Sequence, residues 1–478
     1  MAAGYVSLPP RHQLTGLVDS DTVSGRTAPG MTELEFWTAG MIAAGIRDGA
    51  VSSREVTRRL LERISADSTV NGVVETRPEY ALEAATAADE QVAAGGELGP
   101  LHGVPMTVKD SFNVAGLPTT WGNPAFADHV ADWDATVVER LTAAGAIIIG
   151  KSNVYTMLAD FGQTSNEIYG RTSNPHDVTR TPGGSSGGGA AALAAGMTYL
   201  EYGSDLVGSI RLPASYCGVY GLRPTAGVVP LHGFQPPGPP ALPTEFPNLS
   251  TVGPLARSAA DLRIALRVTG GPSPDLPYSW KLLPPRHQRL SDFRVGVVLD
   301  HEQAPVTSEV GAALSDTVDA LSRNGVKIIQ GWPAEADPVG QAEALGFQVG
   351  LFFAMNGEDA DFASLAEVIA QEHRRIAARV AWQRYFADVD VFLCPTSFTT
   401  AFPHDERPFE ERTIYGRPYD AQVFWISHAA LTGLPALSMP VPTSGLPVGA
   451  QVIGPWHADD TVIAFAELAA DVVGPVAG

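Results

Sequence analysis

Between residues 52 and 153 the chain switches between two hydrophobic periods. Val56, Leu60, Leu61 and Ile64 recur at helical spacing behind Ser52 and Glu55, a capping-box pair, so the spacing predicts a helix starting at Ser52. Thr32 and Glu35 have the same separation and predict an earlier helix start, giving an opening helical pair. A further helix is expected near Pro78 to Val92, and another over Thr136 to Ala144. Two short apolar runs read as strands: "GVPMTVKD" (103–110), with Lys109 at its end, and "AIIIGKSN" (146–153).

The alternation resumes downstream with "FRVGVVLD" (293–300), a helix over Glu309 to Arg323, and "VKIIQ" (326–330). Helical spacing then runs from about Gly340 to Phe386. It is followed by apparent strands "DVFLCPT" (390–396), "ALSMPV" (436–441) and "GAQVIG" (449–454), with a last helix after Asp459. Strands alternating with helices imply an α/β layered fold and favour a largely parallel sheet. Proline-rich stretches, notably residues 233–248, are expected as surface loops or cleft rims. Residues 1–30 lack periodicity and read as an N-terminal extension ahead of Met31.

Composition narrows the class. Of 478 residues, 45% are hydrophobic and 17% charged, which is an ordinary folded chain. A net charge of −21 with no long basic run disfavours nucleic acid as a partner and suits a solvated acidic surface. The two cysteines, Cys217 and Cys394, sit in apolar segments without metal-ligand spacing and read as buried thiols. No apolar run reaches a membrane span and no secretory leader is evident, so a cytoplasmic protein without a membrane partner is expected.

The segment "TPGGSSGGGAAALAAG" (181–196) carries two adjacent serines, Ser185 and Ser186, in a glycine-rich loop that runs into an alanine-rich helix. A phosphate cradle is disfavoured, because no strand directly precedes it and both the Walker lysine and the dinucleotide fingerprint are missing. Gly184, Ser186 and Gly188 satisfy the nucleophile-elbow spacing, yet that motif also requires a preceding strand. Taken alone, the loop is a tight turn with close helix packing. Residues 201–225, "EYGSDLVGSIRLPASYCGVYGLRPT", change the reading by adding Ser209 in a second glycine-containing turn.

Together these segments resemble the amidase signature family of serine hydrolases, whose glycine–serine, G-S-D and C-G-x-x-G motifs are nearly all present. The likeness extends to "GPLHGVPMTVKD", "GPLARSAADL", "LTGLPALSMPV" and "LPVGAQVIGP", and so covers most of the chain after Met31. It implies an amidase signature fold, a large twisted mixed β-sheet surrounded by α-helices (α/β/α). On that pattern residues 31–478 form the amidase signature domain. Its parts are a helical N-terminal part at about 31–95, a signature core at about 100–270, a variable substrate-side region at about 271–400, and C-terminal core strands and helix at 401–478.

The resemblance also assigns roles: Ser209 as nucleophile, Ser185 as bridging proton relay following a cis peptide bond, and Lys109 as base. An amine takes a serine proton only when neutral, so Lys109 must fall from its usual value of about 10.4 towards roughly 7 to 8. Leu206, Val207, Gly208 and Ser209 are the candidate backbone donors to an oxyanion, with Ser186, Asp205 and Arg211 in support. Val207 stands where the family usually has a glycine; a positive φ there would strain a β-branched residue or reshape the oxyanion hole. A second departure is the segment "VYTMLADF" (154–161), where many relatives carry an acidic residue after the Asn, so a different substrate preference is expected.

Tyr155, Met157, Leu158, Phe161, Phe234 and Trp425, with Phe352 and Phe353, are the candidate substrate-binding residues. The implied enzyme is an amidase working through an acyl-enzyme on hydrophobic aryl or alkyl amides, with related esters and carbamates as further substrates. No cofactor or metal is expected, and a monomer or homodimer suffices. Two rivals stand beside it: the amidase component of a glutamine-dependent tRNA amidotransferase, and a catalytically inactive scaffold of the same fold.

Overall fold

Two strand–helix–strand units flank the middle of one sheet, which is filled by antiparallel strands. The computed structural model describes residues 31–238, 249–274, 276–356 and 362–474. The expected extension over residues 1–30, and residues 239–248 of the proline-rich stretch, lie outside them. From Glu35 onward the chain forms one compact unit.

In chain order the sheet strands are β1 (Val73–Thr76), β2 (Pro105–Lys109), β3 (Ile147–Ser152), β4 (Leu200–Asp205), β5 (Tyr220–Arg223) and β6 (Thr251–Ala256). They continue as β7 (Arg294–Val297), β8 (Lys327–Gln330), β9 (Val391–Pro395), β10 (Ala436–Val441) and β11 (Val448–Ile453). Their spatial order is β1-β3-β2-β4-β6-β5-β10-β11-β9-β7-β8. β2 runs parallel to β3 and β4, and β7 runs parallel to β8 and β9. The remaining contacts, β1 with β3 at one edge and β4 through β6, β5, β10 and β11 to β9, are antiparallel. The expectation of a largely parallel sheet therefore holds within the two strand–helix–strand units and fails at the β1 edge and at the centre. There β10 and β11 are joined by too few residues for a crossover and must form a hairpin.

The helices are α1 (Ala39–Arg47), α2 (Ser53–Ala66), α3 (Pro78–Ala93), α4 (Thr136–Ala143), α5 (Gly187–Ala194) and α6 (Arg211–Cys217). They are followed by α7 (Ala259–Thr269), α8 (Ser308–Arg323), α9 (Pro338–Asn356), α10 (Leu365–Tyr385), α11 (Val423–Thr432) and α12 (Asp459–Val473). Ser52 caps α2 as its spacing predicts, its hydroxyl accepting the Glu55 N–H at 3.1 Å. Thr32 lies within a short 3-10 helix over Met31–Phe36, and the first α-helix does not start there. Its cap is Thr38, and the carboxylate of Asp261 takes the Ala39 and Gly40 amides at 2.9 and 2.8 Å. That acceptor lies more than 200 residues away, so local spacing could not reveal it.

Both cysteines are buried free thiols. Among the described residues no helix is long and apolar enough to cross a membrane, and no cluster of three or more His, Cys, Asp or Glu side chains is placed to hold a metal.

Candidate active site

β2 and β4 are parallel neighbours in the register Thr107↔Glu201 and Val108↔Tyr202, so their C-terminal ends lie side by side. β2 ends on Lys109; β4 ends on Asp205 and leads through the turn 206–210 into α6. The glycine–serine loop enters from outside the sheet and is tied in twice. The Gly184 amide donates to the Phe161 carbonyl at 2.9 Å, and the Ser186 amide to the Ser209 carbonyl at 3.2 Å. The Gly184–Ser185 peptide is cis, as the resemblance implies. At Gly184 the backbone approach explains the residue: a Cβ there would sit 1.9 Å from the Gln163 carbonyl oxygen.

Lys109 has no solvent exposure, and its Nζ donates to Ser185 Oγ at 2.7 Å and to Ser204 Oγ at 2.9 Å. Burial lowers its pKa to about 7, against the opposing pull of Asp205 and Glu201. Ser185 and Ser209 are buried at 1% and 6% exposure. Ser186 Oγ reaches the Ser204 carbonyl at 3.3 Å, joining the loop to the end of β4. This arrangement can move a proton between a hydroxyl and an amine away from bulk water.

The turn 206–210 is built on Asp205. Although burial works to raise it, Arg211 beside it and Arg223 beyond hold the Asp205 carboxyl well below the usual carboxylate range. Arg211 forks onto both oxygens, Nε at 3.0 Å and Nη2 at 2.9 Å, with both side chains fully buried. Asp205 also accepts the Gly208 and Ile210 amides at 2.9 and 3.2 Å. Gly208 N–H is therefore committed inward. The hydrogen bonds among the described residues include none from the amides of Leu206, Val207 or Ser209. The expected strain at Val207 does not arise, because the positive φ of the turn, +86°, belongs to Gly208.

The candidate substrate residues separate. Phe161 is brought to the loop by its carbonyl and stacks on Tyr419 at 5.7 Å. Tyr155, Met157 and Leu158 form a half-buried strip, held to Trp121 by the Met157 amide at 2.7 Å. Met157 and Leu158 both have positive φ, 51° and 58°, an uncommon backbone for bulky residues. Phe234 packs on Phe112 and Trp121, just beyond the end of β2. Trp425 does not belong with them: it is fully buried, its indole N–H donating to the Ala304 carbonyl at 3.0 Å, and it serves as core beneath the turn. Phe352 and Phe353 pack together on α9 with Phe353 half-exposed.

Sequence reasoning missed Ser204, the second partner of Lys109, and Glu201, a fully buried carboxylate on the same strand. The only signal for Glu201 is a single acid inside an otherwise apolar run. It also missed the buried Lys151–Asp110 pair, 3.2 Å apart, which anchors the chain just after Lys109. Asp160 is likewise buried against Arg412 at 2.5 Å and Tyr419 at 2.9 Å, bracing the segment that carries Phe161. A surface groove between α9 and α10, lined by Asp337, Gln341 and Arg374 among others, contains none of the three candidate catalytic residues.

Comparison with known proteins shows the family of the chain. The family model described as Amidase matches residues 55–356 and 338–463. The chain is 34% identical to the indoleacetamide hydrolase of Bradyrhizobium diazoefficiens over 89% of its own length and 84% of that protein. It is 33% identical to a glutamyl-tRNA(Gln) amidotransferase subunit of Salinispora tropica, covering 93% of this chain and 99% of that one. The solved structure of a bacterial aryl acylamidase of the amidase signature enzymes superposes with a TM-score of 0.79 at 24% identity, over 91% of this chain and 96% of that one, a likeness of fold.

Proposed function

The chain belongs to the amidase family and is an amidase, and from that premise we propose that it hydrolyses amides through a Ser209–Ser185–Lys109 relay and an acyl-enzyme. The observation that carries this reading is the 2.7 Å contact between Lys109 Nζ and Ser185 Oγ in a buried site. Neutral Lys109 takes the Ser185 proton as Ser185 takes that of Ser209, and Ser209 Oγ attacks the carbonyl carbon. The C=O pair moves onto oxygen, where the amides of Leu206, Val207 and Ser209 receive it. Collapse expels the amine, which leaves with the proton returned through Ser185. Water then enters by the same relay and releases the acid.

The substrate class supported best is a hydrophobic aryl or alkyl amide, with esters and carbamates as further substrates of the same nucleophile. Two things favour it: the half-buried aromatic Phe161, tied to the glycine–serine loop through its carbonyl, and the 34% identity to a hydrolase named for an indole-bearing amide. The proposed steps call on no metal or cofactor, and we take the enzyme to act in the cytoplasm as a monomer or homodimer. A panel of aryl amides, esters and carbamates, with mass spectrometry of products and of the acylated Ser209 peptide, tests it. Turnover without acylation of that peptide would reject the mechanism.

A second reading is favoured by the end-to-end likeness to an amidotransferase component: a glutamine-dependent amidase working with partner proteins. Glutaminase activity arising only with partners, and no cleavage of aryl amides by the chain alone, would select it.

A further inference from the structure

Lys109 is buried with two hydroxyls as its hydrogen-bonding partners and no carboxylate in contact. Two carboxylates make their charge felt there, Asp205 and Glu201. Asp205 is already saturated by the forked Arg211 and by backbone amides. Glu201 is not paired with any cation among the described residues. Its oxygens accept from the hydroxyls of Thr107 and, at 2.7 Å, Ser152, the residues two before Lys109 and directly across from it in the parallel register. α5 seals it from above so closely that a Cβ at Gly189 would lie 2.4 Å from Glu201 Cγ.

We propose that Glu201 is a positioning residue for the amidase reaction, the counter-charge that sets how readily Lys109 releases its proton and hence where activity begins on the pH scale. This rests on the reading of Lys109 as base. Burial raises the Glu201 carboxyl to about 7, against the Thr107 and Ser152 hydroxyls and the Lys109 charge, which favour its ionised form, so the two sites titrate as a coupled pair. The other neighbours leave this coupling undisturbed. α5 brings no titratable side chain, α2 packs on β2 with Ser53, Val56, Thr57 and Leu60 as its buried residues, and β6 sets Leu255 and Gly253 opposite Glu201 and Gly203. Lys151 on β3 is engaged by Asp110 and Thr119, and Arg223 reaches the Asp205 carbonyl.

The test is the pH dependence of kcat/KM for an aryl amide in the wild type, Glu201→Gln and Ser152→Ala. Glutamine keeps the shape and can still bond both hydroxyls, while the charge is gone. With the counter-charge removed, the ammonium is less stabilised, so the acid limb moves to lower pH by about one unit. One unit below the wild-type midpoint, Glu201→Gln then runs at about fivefold the wild-type fraction of its plateau. Ser152→Ala, which withdraws one donor from the carboxylate, moves the limb the same way by less. An unchanged midpoint in both variants, whatever happens to the plateau or the melting temperature, overturns the proposal. A wild type with no acid limb near neutrality, or a limb surviving in Lys109→Ala, overturns the reading of Lys109 instead.

Discussion

The Ser186 amide donates to the Ser209 carbonyl at 3.2 Å, so the glycine–serine loop and the turn after β4 are one rigid unit. Ser185 and Ser209, 24 positions apart in sequence, thereby sit on hydrogen-bonded neighbouring segments, and Ser185 meets Lys109 at the end of β2. Four expectations follow from that frame.

In the proposed relay, removing the Ser209 hydroxyl takes away the nucleophile, and the unit is expected to stay folded. Ser209→Ala is expected to lose kcat by about 10³-fold or more, and Ser185→Ala and Lys109→Ala also by orders of magnitude, since members of a relay act together. Circular dichroism should match the wild type. Full turnover in Ser209→Ala would refute the assignment.

Activity is expected to rise through about pH 7 and to level off on the alkaline side, because burial brings the Lys109 ammonium down to about 7 and only the neutral amine accepts a proton. The same shift acts on stability. Unfolded, the lysine binds its proton up to about pH 10.4, so from there down to about 7 the native state binds fewer protons and loses stability as pH falls. Lys109→Met is thus expected to be inactive yet to melt no lower than the wild type at neutral pH, measured by calorimetry.

Asp205 and Arg211 are both fully buried, and replacing either alone strands the other charge. Arg211→Met is expected to cost about 3–5 kcal/mol in urea unfolding and to cripple turnover. Breaking the exposed Arg289–Asp292 pair, at 2.8 Å, is expected to leave the urea midpoint nearly unchanged, because solvent screens it. Equal effects at the two sites would contradict the burial argument.

Gly208 supplies the left-handed residue of the turn, and a Cβ there would lie 3.0 Å from Leu212 Cδ1. Gly208→Ala is expected to lose about 1–2 kcal/mol from backbone conformation and to lower kcat/KM sharply. Val207→Gly, at a position without positive φ, should keep the larger share of its activity. The opposite order would move the critical conformation back to position 207.

Much of this molecule was legible as a string. The wings of the sheet follow from local pattern, since β2, α4 and β3, and again β7, α8 and β8, each announce themselves by periodicity within a few residues. So does the cap at Ser52, whose donor lies three positions on. The family motifs nominated Lys109, Ser185 and Ser209 together. What escaped depends on partners far along the chain. Thr32 lost the first helix start to Thr38 because Asp261 supplies acceptors there. Trp425 read as pocket and is core, since an aromatic has the same letter in either place.

Sequence alone thus determined which chemical groups are available and the short elements that carry them, because hydrophobic period and turn chemistry act over a few residues. Tertiary structure decided their proton chemistry. Only when β2 and β4 pair and α5 closes over them does the lysine lose its water, gain Ser204 as a second partner and come within reach of the Glu201 charge. Desolvation and Coulomb interaction depend on what surrounds a group in space, and no local pattern of letters specifies that.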